Sequence, residues 1–259
     1  MTRALVTGAG LRLGRAMAVA LGERGFDVAV HFARSAEAAE TTARDIRALG
    51  RRACTLQADL LDESQVSGLV PAATEALGGP LSVLVNNASI FEYDTLPTAT
   101  RESWDRHFES NLRAPVVLTQ AFAAQAPEPV PDAAGEPVAQ ALVVNMIDQR
   151  VRKLTPEFMS YTLAKAAKWT FTQTAAQALA PGVRVNAIGP GPTLQGHRQS
   201  ESHFARQRQN TVLQRGAGPE DVTRALAFLL DSPAVTGQLI CVDGGQHLGW
   251  QTPDVLGPE

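Results

Sequence analysis

The chain of 259 residues is 44% apolar and 19% charged, with 23 basic against 26 acidic side chains and a formal net charge of −3. That balance leaves no general basic surface for nucleic acid, and a chain of this length buries one substantial core, so residues 1–259 read as a single domain. Two cysteines, Cys54 and Cys241, cannot make a metal site between them, and no apolar run is long enough to span a membrane.

The N-terminus enters directly on a short apolar strand at residues 3–7, without the regions of a signal peptide, so a soluble cytoplasmic protein is expected. Next comes Thr7-Gly8-Ala9-Gly10-Leu11-Arg12-Leu13-Gly14, followed by a helix-forming stretch at 16–21. Strand, glycine turn and helix at the first strand make a setting for a nucleotide. Gly8 supplies the tight turn, Gly14 lets the helix pack closely on the sheet, and the free amides of the helix N-terminus offer a pyrophosphate site. The spacing departs from a strict G-x-G-x-x-G and fits T-G-x-x-x-R-x-G; a turn that merely joins strand to helix is the plainer alternative.

Further short apolar runs fall at 27–32, 52–56, 82–85, 141–145, 184–188 and 239–242, separated by longer helical stretches. This alternation predicts an α/β fold, a doubly wound seven-stranded parallel sheet with helices on both faces. Residues 125–140, with Pro127, Pro129, Pro131 and Pro137, cannot form a continuous helix and are expected as a surface loop or a partly disordered segment. Residues 190–215 are polar, follow a strand end and suit a substrate lid. They include His197, Arg198, His203 and Arg206, which read as solvated loop residues, and Leu194 and Leu213, which are candidates to line a pocket.

Tyr161 and Lys165 stand four apart in a helical stretch, and Asp148 lies thirteen residues before the tyrosine. The spacing puts phenol and ammonium on one helix face, where the charge is expected to lower the phenol pKa and make it a usable acid near neutral pH. Ser160 points elsewhere, because neighbours on a helix diverge.

Together with Asn86-Asn87-Ala88-Ser89 after the fourth strand and Pro190-Gly191 after the sixth, these motifs give a sequence that resembles the short-chain dehydrogenase/reductases over nearly its whole length. Within that family it is most similar to the pteridine reductases and the bacterial dihydromonapterin or dihydrofolate reductases. Arg12, Asn87-Ala88-Ser89-Ile90-Phe91 and Asn145-Met146-Ile147-Asp148 carry that finer likeness, the last in place of the usual catalytic serine segment. The resemblance implies a Rossmann-type fold and a nicotinamide cofactor on Gly8, Arg12, Leu13 and Gly14. Asp59 and Leu60 would lie at the adenine, Asn87 and Ala88 along the nicotinamide-side ribose, and Pro190 and Gly191 beyond it. It also implies Tyr161 as proton donor, Lys165 on the ribose, and Asn111 as the asparagine holding a relay water near that lysine. Residues 235–245 resemble the family's tetramer-forming region, so a homotetramer is expected.

His31-Phe32-Ala33-Arg34-Ser35 ends the second strand without the carboxylate that an NAD-specific site places there. Arg34, Ser35 and Arg12 suit a 2′-phosphate instead, which makes NADPH/NADP+ the expected cofactor, although Arg34 in solvent is the simpler account of that residue.

At the position of Asp148, carbonyl-reducing members of the family carry a serine whose hydroxyl donates to the carbonyl oxygen. An ionised carboxylate has no proton to give and opposes a developing alkoxide, but it matches the amidine-like edge of a pterin. Phe91 would wall one side of a slot for a flat ring, with the nicotinamide as the other wall, and Ser89 would touch the substrate. The expected activity is reduction of a dihydropterin (dihydromonapterin, dihydrobiopterin or dihydrofolate), a small-molecule substrate, without metal, nucleic acid or membrane. Other readings remain open: Asp148 as a mere loop cap, a reductase of 3-oxoacyl thioesters, sugars or other ketones, a non-catalytic NADP(H)-sensing protein, or a structural homo-oligomer.

Overall fold

A computed structural model describes residues 2–196 and 198–250. The first half of the chain runs β1 (Arg3–Val6), α1 (Arg12–Glu23), β2 (Asp27–Phe32), α2 (Ala36–Ala48), β3 (Ala53–Gln57), α3 (Glu63–Leu77) and β4 (Val83–Asn86). Next come α4 (Arg101–Phe108), a π-helical turn at Glu109–Arg113, α5 (Ala114–Ala123), the two-residue strands β5 (Val130–Pro131) and β6 (Pro137–Val138), and β7 (Ala141–Met146). A 3-10 turn (Gln149–Arg152), α6 (Met159–Leu179), β8 (Val183–Pro190), α7 (Glu201–Gln209), α8 (Pro219–Asp231) and β9 (Leu239–Val242) complete it.

Seven strands form one parallel sheet in the order β3-β2-β1-β4-β7-β8-β9. Side chains alternate across a strand, so Leu5 and Val6 serve different cores. Val6, Val28, Met17, Leu21, Ile46, Leu226 and Leu229 join β1 and β2 to α1, α2 and α8. On the other face Leu5, Leu84, Val143 and Val185 meet Leu69, Leu77, Leu118 and Phe122 from α3 and α5. Strands covered on both faces read as unbroken apolar runs, and β7 is buried at all six positions.

The chain runs outward from β1 to β3 and then returns to lay β4 on the other side of β1. The loops leaving β1 and β4 therefore diverge to opposite faces and open a crevice at the carboxyl ends of the strands. Both loops are tied across it: Thr7 Oγ1 accepts from the backbone N–H groups of Asn87 (2.9 Å) and Ala88 (3.0 Å), and Asn87 Nδ2 donates to Thr7 O (2.8 Å).

Two expectations need correcting. The proline-rich stretch is an ordered antiparallel hairpin pairing Val130 with Val138 and Pro131 with Pro137. Asp132 Oδ1 accepts from Ala134 N (2.8 Å) and Glu136 N (3.0 Å), and Gly135 takes φ +83°, so a side-chain-closed turn supplies what helical periodicity could not. The stretch after β8 is not irregular throughout: it holds α7, started by Ser200, whose hydroxyl accepts from His203 N at 3.2 Å. No helix among the described residues is long and apolar enough to cross a membrane.

Candidate active site

The turn after β1 is fixed by contacts that only glycine permits. Gly8 has φ +62°, and a Cβ on Gly14 would lie 2.1 Å from Gly8 O, so α1 packs directly on the turn. Gly8 N–H donates to His31 Nδ1 (3.0 Å), which leaves the ring proton on Nε2, facing Ala58 O at 3.1 Å. Burial pushes the His31 pKa down, against the Ala58 bond, and so favours the neutral ring this arrangement needs. His31 was not legible as part of the site: in sequence it is one polar residue in an apolar strand.

The residues expected at the 2′-phosphate separate. Ser35 Oγ lies 3.2 Å from where a Cβ on Gly10 would sit, beside the glycine turn, while Arg34 is exposed with no hydrogen bond among the described residues. Arg12, at φ +53°, donates from both Nη atoms, at 2.9 Å each, to Gln195 O and Leu194 O, so it ties the turn to the segment after β8. Leu13 packs on the core; Leu60 is buried beneath exposed Asp59, whose Oδ1 accepts from Leu61 N at 3.0 Å. Pro190 ends β8, and Gly191 N donates to Val242 O at 3.0 Å.

β7 delivers Asp148 to the rim of the crevice, and α6 brings Tyr161 and Lys165 against it. Asp148 serves both readings at once. Its Oδ1 accepts from Arg150 N (2.8 Å), capping the 3-10 turn, and its Oδ2 accepts from the Tyr161 hydroxyl (3.0 Å). Tyr161 is only 6% exposed. Burial and then the Asp148 charge and hydrogen bond hold its pKa well above the usual phenol value, against Arg150 and Ser89. The expected lowering by Lys165 is therefore corrected: the carboxylate touches the phenol oxygen, whereas Lys165 Nζ sits 5.5 Å from the ring centroid and donates to Met146 O at 2.9 Å. Burial lowers the Lys165 pKa to about 8, with Asp148 pulling it up.

Asn111 lies in the π-helical turn, and its side chain bonds one residue twice: Nδ2 donates to Ile90 O and Oδ1 accepts from Ile90 N, both at 2.9 Å. It clamps the loop that carries Ser89 and Phe91, and among the described residues no hydrogen bond joins it to Lys165. Phe91 stacks on Phe158 (4.2 Å between centroids, 13°) and meets Tyr161 edge-on (4.6 Å, 67°). One Phe91 face is thus covered by Phe158, and the residue remains 41% exposed. Phe158 adopts left-handed φ +56°, ψ +48°, a strained state for a bulky residue that nothing in sequence signals.

Further unforeseen groups sit behind this surface. Asp94 holds the start of α6: Oδ1 accepts from Ser160 N (3.1 Å), and Oδ2 accepts from the hydroxyls of Ser160 and of Ser103, the latter at 3.1 Å. His107 Nε2 accepts from Glu92 N (3.1 Å), so its Nδ1–H donates to Ser160 Oγ (2.7 Å). Lys168, one turn beyond Lys165, is fully buried and donates to Asn86 O at 3.0 Å. Leu194 is half-buried, whereas Leu213 faces a hollow shared with Arg215, Asp243 and His247. His203 and Arg206 lie on α7, and His197 falls outside the described residues. No group of three or more His, Cys, Asp or Glu positioned to hold a metal occurs among the described residues.

Comparison with known proteins places this geometry. A family model described as "Enoyl-(Acyl carrier protein) reductase" matches residues 8–247. The 3-oxoacyl-[acyl-carrier-protein] reductase FabG of Staphylococcus aureus is 30% identical over 250 residues, 95% of this chain and 98% of that protein. The crystal structure of FolM alternative dihydrofolate reductase 1 from Brucella canis, complexed with NADP, superposes with a TM-score of 0.90 at 45% identity, covering 98% of this chain and 97% of that one. A short chain dehydrogenase from Burkholderia cenocepacia, also in complex with NADP, gives 0.85 at 33% identity, covering 95% and 97%.

Proposed function

The chain belongs to the short-chain dehydrogenase/reductase family, and we propose that it is an NADPH-dependent reductase that converts a dihydropterin to a tetrahydropterin. The crevice fits the cofactor. Gly14 leaves no room for a Cβ, the start of α1 has no side-chain cap on its amides, and residues 31–35 offer Arg34 and Ser35 but no carboxylate. When bound, NADPH supplies a hydride to an electron-poor carbon. The protein's own part is to deliver the matching proton and to hold the ring. Tyr161 keeps its proton at neutral pH because burial and Asp148 both favour the phenol form, and Lys165, charged below about pH 8, sits beside it.

One observation carries the pterin reading: the 3.0 Å hydrogen bond from Tyr161 to Asp148, which sets a carboxylate beside the proton donor. Such a group accepts from the N–H groups of an amidine-like ring edge and repels an alkoxide. The Phe91–Phe158 stack beside Tyr161 supports a flat heteroaromatic substrate. FolM, at 45% identity, supports the same reading. Ketone reduction is the second reading, supported by FabG and by one feature of the site: the Ser89 hydroxyl also acts on the phenol. Homotetrameric assembly belongs to the same proposal, supported by β9 lying at a sheet edge with all four residues only half-buried.

The test is a panel of 7,8-dihydropterins and acetoacetyl thioesters with NADPH and with NADH. Turnover of a dihydropterin, much weaker with NADH, is the expected result. An enzyme that ignores pterins and reduces the thioester overturns the proposal.

A further inference from the structure

The loop that carries Phe91 is held on both sides of that residue by two side chains four apart in sequence, His107 near the end of α4 and Asn111 in the π-helical turn. Asn111 bonds Ile90, the residue before Phe91. His107 holds the residue after it, because its Nε2 accepts from Glu92 N at 3.1 Å. The same imidazole reaches the other half of the site. Its Nδ1–H donates to Ser160 Oγ at 2.7 Å, the Ser160 hydroxyl donates to Asp94 Oδ2, and Ser160 immediately precedes Tyr161. Among the described residues of α4 only His107 is fully buried, and its ring lies edge-on to that of Tyr161, 5.9 Å between centroids at 72°. Burial holds its pKa below the ordinary imidazole value, against the pull of the Asp94 and Glu92 charges, which keeps the Nε2 lone pair that Glu92 N requires. A buried histidine with both nitrogens bonded is ordinarily structural. What sets this one apart is the identity of its partners, since they neighbour the ring wall and the proton donor.

We infer that His107 is a positioning residue for the reduction: one rigid imidazole, bonded to the neighbours of Phe91 and of Tyr161, fixes the spacing between the ring wall and the proton donor. This inference rests on the pterin reading, which makes Phe91 that wall, and deepens it. The two rings meet at 4.6 Å between centroids, and the phenol must face the reacting atom of a ring seated against Phe91 to within roughly 0.5 Å. Imidazole presents a lone pair and an N–H in divergent directions from one plane, whereas glutamine reproduces only the Nε2 position and asparagine only the Nδ1 position.

The test separates the two contacts in steady-state kinetics with NADPH and a 7,8-dihydropterin. His107→Asn keeps a donor for Ser160 and loses the Glu92 contact, so the pterin KM should rise about tenfold with kcat little changed. His107→Gln keeps an acceptor for Glu92 N and loses the Ser160 contact, so kcat should fall about tenfold with the pterin KM little changed. Ser160→Ala, which leaves the histidine in place, should repeat the kcat loss, and the NADPH KM should stay within about twofold of wild type in all three. Equal effects of the two His107 variants on kcat and KM, or none, show a histidine that only fills its space and overturn the inference while leaving pterin reduction standing. If a His107 variant fails to fold, a Ser160→Ala enzyme with wild-type kcat overturns it equally. A wild type that turns over no dihydropterin removes the pterin reading, and this inference with it.

Discussion

Lys165 and Lys168 bring two amino groups to a single backbone carbonyl, Met146 O, at 2.9 and 3.5 Å. Crowding two like groups in a buried space opposes charging both. Burial and the neighbouring Lys165 hold the Lys168 pKa well down, whereas Asp148 helps Lys165 keep its proton to about pH 8. Asp148 favours the charge on Lys165, and that charge in turn opposes one on the deeper Lys168. The consequence is kinetic: because the native pKa of Lys165 lies below the ordinary lysine value, raising the pH through about 8 removes the charge beside the phenol. The kcat/KM for reduction should be level from about pH 6 to 7.5 and then fall about tenfold per pH unit, reversibly on return to neutrality. A profile that stays flat to pH 9.5 contradicts this role for Lys165. The trio of Tyr161, Lys165 and Asp148 was legible because helical spacing and a strand end bring its members together. Lys168 was not, since its partners are backbone carbonyls of β4 and β7, distant in sequence.

At the scale of elements, α6 does most to position the site, and its first turn is held from outside. Its N-cap residue Phe158 lies in the left-handed region and offers no side-chain cap, so Asp94 supplies one from the loop after β4. Removing that carboxylate leaves the buried Ser160 amide without its acceptor and takes one acceptor from the hydroxyls of Ser160 and Ser103, which is costly. Asp94→Ala should therefore lower stability by about 2–4 kcal/mol in urea unfolding and lower kcat as well, because Tyr161 is the next residue along. Asp94→Asn, which keeps an acceptor, should lose less. Unchanged unfolding and turnover in Asp94→Ala would show that α6 needs no such anchor. Strands β1 to β4 and β7 to β9 emerged from the sequence to within one or two residues, because most of these parallel strands are buried, largely apolar runs. The β5–β6 hairpin and α7 escaped because side-chain bonds from Asp132 and Ser200 start them, and such bonds leave no periodic trace.

Over the whole molecule, the reversal of strand order beside β1 gathers the glycine turn, the Asn87–Phe91 loop and Asp148 at one end of the sheet. Those segments were each readable in sequence, but their convergence is a property of topology. It also gives individual side chains distant partners: Arg12 bonds the carbonyls of residues 194 and 195, and Asn111 bonds Ile90. We propose that the carboxylate at position 148, joined to the Tyr161 phenol, suits this reductase to pterins. Asp148→Ser isolates that carboxylate, because serine can still cap the 3-10 turn at Arg150 N. The decisive measurement is the rate of NADPH oxidation by Asp148→Ser and wild type with 7,8-dihydropterin and with an acetoacetyl thioester. The account predicts a loss of about a hundredfold or more with the pterin and an equal or higher rate with the thioester. Undiminished pterin reduction by the serine variant would contradict it.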